Sequence, residues 1–137
     1  MAIVLLSQGA EALLDGSWST ATPSTCRLIA NDSYSGLSAA QLQALDETDF
    51  SEPSFVGYSS MPLVSWTIAG PSPSSATHSE LTFTATAAPT TIQTIHGWWL
   101  ERDSDALAIA FEVFSNGPFI FSRSGDSLTF SPIIAFD

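Results

Sequence analysis

The sequence contains no lysine and only three arginines, Arg27, Arg102 and Arg123, against 14 acidic residues, for a net charge of −11 over 137 residues. Nucleic-acid binding needs several cations to displace counterions from phosphates. Three scattered arginines cannot supply them, and docking on an anionic membrane is disfavoured on the same ground. No nucleic acid and no membrane are therefore expected as partners. An acidic surface suits a basic neighbour and favours solubility, but it selects no fold.

Cysteine is nearly absent too. Cys26 stands alone, so neither an internal disulfide nor a thiolate metal cage can form within one chain. As a nucleophile it would need a basic neighbour, and a packing role is the expectation. Only two histidines occur, His78 and His96, and "HExxH", "CxxC" and "GxSxG" are all missing. A zinc site wants three or four converging ligands, and a serine hydrolase wants a base beside its nucleophile. No catalytic residue, metal ligand or cofactor is expected. The opening "MAIVLLSQG" has no basic residues before its short apolar run. That run is too short for a signal-peptide core or a membrane span, so synthesis in a cytoplasm is expected.

What the chain does have is apolar mass. Apolar residues make up 45% of it, including four Trp and nine Phe, with eight Gly and eight Pro as turn formers. One domain spanning residues 1–137 can hide roughly 68% of its unfolded surface. Ala2 to Leu6 reads as a strand or an N-terminal arm, the arm extending at most over residues 1–8. "QGAEALLDG" reads as one or two helical turns, with Gly16 to stop them. "CRLIAND" (Cys26–Asp32) reads as a short strand. In "LSAAQLQALDETDF" Ser38 can cap a helix, with Gln41 completing a capping box and Leu37 stapling against Leu42. That helix should stop near Leu45, because Asp46, Glu47 and Asp49 suit a C-terminal end badly, and it should lie against the rim of a sheet.

From Phe55 onward the period becomes two. "FVGYSSMPLVSW" holds one or two strands interrupted by Pro62, and "GPSPSSATHSE" reads as a loop. In "ELTFTATA", Leu81, Phe83 and Ala85 share one face and three threonines the other, which describes a sheet wet on one side. "IQTIHGWWLER", a turn at Asp103-Ser104-Asp105, and "ALAIAFEVF" make a hairpin, with Leu107, Ile109, Phe111 and Val113 on its core face. "SNGP" and "SGDS" are further turns flanking "FIFSR", and "LTFSPIIAF" is a last strand in which Pro132 marks an edge or bulge. Seven or eight short antiparallel strands with one or two short helices describe an all-β, jelly-roll-like β-sandwich.

The acidic stretches "DETDFSE" and "DSD" could bind calcium, but neither has the spacing of an EF-hand loop, and a solvated acidic loop is expected. Trp98 and Trp99 are adjacent, so in a strand they point to opposite faces; one fills the core and the other is free for a protein neighbour or a sugar ring. A sugar-active enzyme would need paired carboxylates on one sheet face, and Glu112 with Glu80 or Glu101 is the pair available.

Several local patterns in order, "DFSEPSFVGY" (Asp49–Tyr58), Trp66, "LTFTATA", "GWWL" (Gly97–Leu100), "AIAFEVF" (Ala108–Phe114) and "SGDSLTFSP" (Ser124–Pro132), resemble small structural proteins of tailed bacteriophages, particularly those of cyanobacteria. The chain is similar to the capsid cement, or decoration, proteins on the outside of the head. The resemblance implies a jelly roll located on the virion, made in the bacterial host, with the major capsid protein and further copies of itself (a homodimer or homotrimer) as partners. A tail or tail-fibre module that binds a receptor carbohydrate is the alternative. An interface would draw on Phe50, Phe55, Tyr58 and one of Trp98 or Trp99, with Ile3, Val4 and Leu5 of the arm donated to a neighbour.

Overall fold

A computed structural model describes residues 3–70 and 74–136, with the backbone alone for Phe136. The all-β expectation holds. The described residues form twelve strands and two short α-helices: β1 (Val4–Leu5), α1 (Ser7–Leu14), β2 (Ser24–Ile29), α2 (Ala39–Gln43), β3 (Met61–Leu63), β4 (Trp66–Ala69), β5 (Ser74–His78), β6 (Leu81–Thr84), β7 (Gln93–Ile95), β8 (Gly97–Arg102), β9 (Leu107–Val113), β10 (Phe119–Phe121), β11 (Ser127–Phe130) and β12 (Ile133–Phe136). Every pairing is antiparallel. A five-stranded sheet runs β1-β9-β8-β2-β3, a three-stranded sheet runs β12-β5-β4, and two ribbons pair β10 with β7 and β11 with β6.

The main core lies between the five-stranded sheet and these smaller sheets. Cys26, Leu28, Trp98 and Leu100 come from the large sheet; Leu81, Phe83, Ile95, Phe121, Leu128 and Ile134 meet them from the others. This is a sandwich-like layering. The alternation read in "ELTFTATA" is realised in β6, where Leu81 and Phe83 are buried and Thr82 is exposed. On that wet face the Thr82 and Thr129 hydroxyls bond across the strands at 2.8 Å.

The strand count exceeds the expected seven or eight because long apolar runs change sheets midway. "IQTIHGWWLER" is two strands. β7 pairs with β10, and after His96 the chain continues as β8 between β2 and β9. His96 keeps its backbone satisfied during the change, donating to the Ile29 carbonyl and accepting from Phe114 N–H. "LTFSPIIAF" likewise divides at Ser131-Pro132 into β11 and β12, and the Pro132 carbonyl accepts from His78 N–H. The segment read as a loop at Gly70–His78 contains β5, hairpinned to β4 and sandwiched between β4 and β12. Its small polar residues sit at the partly exposed end of a sheet, so they lack the apolar pattern that marks a strand.

The hairpin β8–β9 is also more elaborate than strict alternation. Leu100 pairs with Ala110 and Glu101 with Ala108, leaving Ile109 as an extra residue in a bulge. Such an insertion reverses the facing of the residues beyond it. Ile109 and Ala110 therefore both join the main core, while Ala108 and Phe111 join a second cluster on the other side. The bulged Ile109 carbonyl accepts from Leu6 N–H at 3.0 Å, and α1 settles over it through Gly9, where a Cβ would lie 2.1 Å from that carbonyl oxygen. The expected single core face on β9 gives way to two.

That second face is covered by the chain between β2 and β3. Phe50 stacks on Trp99 at 5.4 Å and tilts against Phe111 at 5.1 Å, with Leu6, Ile29 and Ala108 around them and Tyr34, Leu42 and Leu45 at the margin. Each such side chain contributes roughly 2–3 kcal/mol by leaving water. α2 forms as its caps dictate. Ser38 Oγ accepts from Gln41 N–H while Gln41 Oε1 accepts from Ser38 N–H, and the helix ends at Ala44. The acids after it make a second capping box. Asp46 receives Thr48 N–H, and Asp49 receives Asp46 N–H, around a 3-10 turn at Glu47–Asp49.

Candidate interaction surface

The residues nominated for an interface lie mostly inside the fold. Phe50 and Phe55 are buried, Tyr58 is half-buried, and Trp98 and Trp99 are 1% and 3% exposed. Adjacent tryptophans do point to opposite faces, but both faces are covered. Trp98 enters the main core and donates its indole N–H to Glu112 at 3.2 Å; Trp99 enters the second cluster and donates to Glu101 at 3.3 Å. Phe55 packs on Phe121 at 4.5 Å. Tyr58 donates to Glu52 at 2.6 Å and accepts from Leu28 N–H, and burial, then the Glu52 carboxylate, pushes its phenol up. Of the arm, Val4 and Leu5 pair within the chain with Phe111 and Ala110 of β9. Ile3 packs against the main core; Met1 and Ala2 lie outside the described residues.

The carboxylates are occupied in the same manner. Arg27 bridges Glu101 at 3.0 Å and Glu52 at 2.9 Å. Glu101 therefore shares a face with Arg27 and Trp99, whereas Glu112 lies across from Trp98 on the opposite face. That pair cannot converge on one bond. Burial raises the Glu112 carboxyl above its usual range. Glu47 accepts from Gln8 Nε2 at 2.8 Å and from Ala108 N–H, pinning the acidic turn to α1 and β9. Thr48 holds the Asp46 carboxyl below the usual range. In "DSD", Asp103 accepts from Thr25 Oγ1, and Asp105 takes a bidentate fork from Arg102.

His78 belongs to β5 and is buried. Its Nε2 accepts from Val64 N–H at 3.2 Å, which leaves the proton on Nδ1 to be donated to the Ser79 carbonyl at 2.8 Å. His96 meets the Tyr34 hydroxyl at 3.0 Å. Among the described residues no three His, Cys, Asp or Glu side chains gather as a metal site, and no helix is long and apolar enough to cross a membrane.

What the surface offers is a groove of about 390 Å³. One wall is the inward face of the three-stranded sheet, where register aligns Ile68, Ala76 and Ile134. The other wall is the end of α1 and the following loop, through Leu13, Trp18 and Thr20. Trp18 is fixed there by an indole N–H bond to Ser24 Oγ at 3.0 Å. Among the described residues no ionisable side chain lines the groove. Ile68 is 62% exposed, and Leu14, beside Leu13, is 90% exposed. Sequence reading missed this site because part of its floor, Ser74 to Ala76, comes from β5, hidden in the Pro/Ser-rich stretch. The isolated "WTI" was the one signal of an apolar strand there.

No protein-family model, curated protein or solved structure matches the chain.

Proposed function

We propose that the chain is a non-enzymatic structural protein that works by adhesion, as a cement or decoration protein on the outer capsid surface of a tailed bacteriophage. In this reading it bridges neighbouring copies of the major capsid protein, alone or as a homodimer or homotrimer, and needs no cofactor. The resemblance of its ordered motifs suggests the virion. The observation that carries the adhesive part is the groove: among the described residues its lining is free of ionisable groups and suits a partner's side chains. The Glu47, Glu101 and Glu112 carboxylates and the Trp98 and Trp99 indoles, by contrast, are engaged within the fold.

The acidic excess favours a place outside the shell, away from packaged DNA. Individually weak contacts suffice where an ordered lattice repeats them. For the alternative, a sugar-binding tail-fibre module, the geometry supplies less. Trp18, Trp98 and Trp99 are buried, so none of the three presents an open ring face for stacking, and Trp66 is half-buried.

The test is co-sedimentation of the purified chain with phage heads that lack it. Saturable uptake at a fixed ratio to capsid subunits is expected. Recovery of the chain wholly in the supernatant, across concentrations spanning roughly 1 nM to 10 μM, would refute the cement reading.

A further inference from the structure

We infer that Asn116 is a site of spontaneous covalent modification, at which the Gly117 backbone nitrogen displaces the side-chain amide and leaves an aspartyl or isoaspartyl residue in the β9–β10 turn. The sequence holds two asparagines, Asn31 and Asn116, and the fold surrounds them differently. Asn31 is tied at both ends of its amide: Nδ2 donates to the Asp49 carbonyl at 2.7 Å, and Oδ1 accepts from Ser51 N–H at 2.8 Å. Those two partners flank Phe50, which is stacked on Trp99, so freeing Asn31 disturbs a packed cluster. Asn116 is exposed, its side chain has no hydrogen-bond partner among the described residues, and Gly117 follows it.

When the Gly117 N–H gives its proton to hydroxide, the nitrogen attacks Asn116 Cγ. A C–N bond forms, the side-chain amide departs as ammonia, and a cyclic imide remains. Water then opens the ring at one carbonyl or the other. One product is aspartate in an ordinary backbone; the other, isoaspartate, routes the backbone through the side chain and lengthens it by a methylene. Solvent is the sole co-reactant. Glycine hinders the attack least, because no Cβ stands beside its nitrogen. Packing favours glycine there too, since a Cβ on Gly117 would lie 3.1 Å from Phe114 Cβ. One contact opposes the reaction: Gly117 N–H donates to the Phe114 carbonyl at 3.2 Å, so the turn must open first. Exposed turns open at far lower free energy than packed segments. The products differ in consequence. Phe114 meets Phe119 edge to face at 5.4 Å across the turn, and Phe130 at 5.0 Å. Aspartate adds a solvated charge and leaves those rings in place, whereas the longer isoaspartyl backbone forces them apart.

The experiment incubates the full chain in mildly alkaline buffer made with heavy-oxygen water, folded in one arm and unfolded in urea in the other. Cleavage after arginine separates the two asparagines, into residues 28–102 and residues 103–123, and mass spectrometry follows each peptide. In the folded chain the 103–123 peptide should exchange an amide nitrogen for a heavy oxygen at least about tenfold faster than the 28–102 peptide. It should do so as a mixture of aspartyl and isoaspartyl forms. Folding should slow Asn31 more than Asn116. Asn116→Gln, at an exposed position, should abolish the exchange in 103–123, because the longer side chain closes its ring far more slowly.

Equal rates at Asn31 and Asn116 in the folded chain overturn the inference. So does an Asn116 that stays unchanged in the folded chain while the unfolded chain converts, since the turn then protects it. Undiminished exchange in 103–123 of the Asn116→Gln chain places the reaction at another residue and also overturns it.

Discussion

Gly97 faces Glu112 so closely across the β8–β9 pair that a Cβ on Gly97 would lie 2.1 Å from the Glu112 carbonyl oxygen. The obstacle is backbone on the neighbouring strand, which no side-chain rotation can clear. Gly97→Ala should therefore destabilise the fold by about 3 kcal/mol, measured by urea unfolding. A loss under about 0.5 kcal/mol would mean that the strands separate there at little cost.

Arg27 and Glu101 should show strong coupling. Glu101 is largely buried, and Arg27 is the cation that compensates it. Arg27→Met should cost about 2–3 kcal/mol, because it strands a buried carboxylate with only the Trp99 indole as donor. Arg27→Met combined with Glu101→Leu should recover most of that loss, since an apolar pair removes the uncompensated charge. Additive losses in the double-mutant cycle would rule this out.

Trp18 depends on Ser24 for its buried indole N–H. Ser24→Ala should cost about 1–2 kcal/mol, and Trp18→Phe on top of it should cost less than Trp18→Phe in the unaltered chain. Calorimetric melting of the four proteins measures the difference.

Two carboxylates, Glu112 and Asp126, should give opposite pH dependences. Burial raises Glu112, so its favourable contribution is complete at pH below the ordinary glutamate value and is lost as pH rises through the raised folded value. Glu112→Gln keeps an acceptor for Trp98 Nε1 and removes the desolvated charge. It should stabilise the protein at pH 7 by up to about 1 kcal/mol, with screening at a half-exposed site limiting the gain, and the gain should vanish in acid. Asp126 is lowered by the Ser122 and Arg123 amide donors. Its contribution is present above the ordinary aspartate value and lost as pH falls through the folded value. Asp126→Ala should therefore destabilise at pH 7 and converge with the unaltered chain in strong acid. Stability against pH, measured for both variants, decides the signs.

Features that depend on a few neighbouring residues were legible in the sequence. The Ser38 and Gln41 capping box, the Leu81/Phe83 alternation and the turn at Asp103–Asp105 all follow from local chemistry. Features set by distant partners were not. The exposed face expected for one of Trp98 and Trp99 is covered by Phe50, brought in from another part of the chain. The bulge at Ile109 exists because Leu6 and Gly9 seat against its carbonyl. Strand β5 carries too little apolar signal to announce itself, and the groove it helps to form was missed with it.

The pairing of β1 with β9 bears on the order in which the molecule can be assembled. Val4 meets Phe111, and Gln8 bonds the Ala108 carbonyl across 100 residues of chain. β1 leaves the ribosome before β9 and must wait, unpaired, for it. A domain closed by such distant contacts folds slowly, on the millisecond-to-second scale of non-local β topologies. During that interval the apolar stretch from Ile3 to Leu6 stays uncovered, and a chaperone or a neighbouring nascent chain has its best opportunity to capture it.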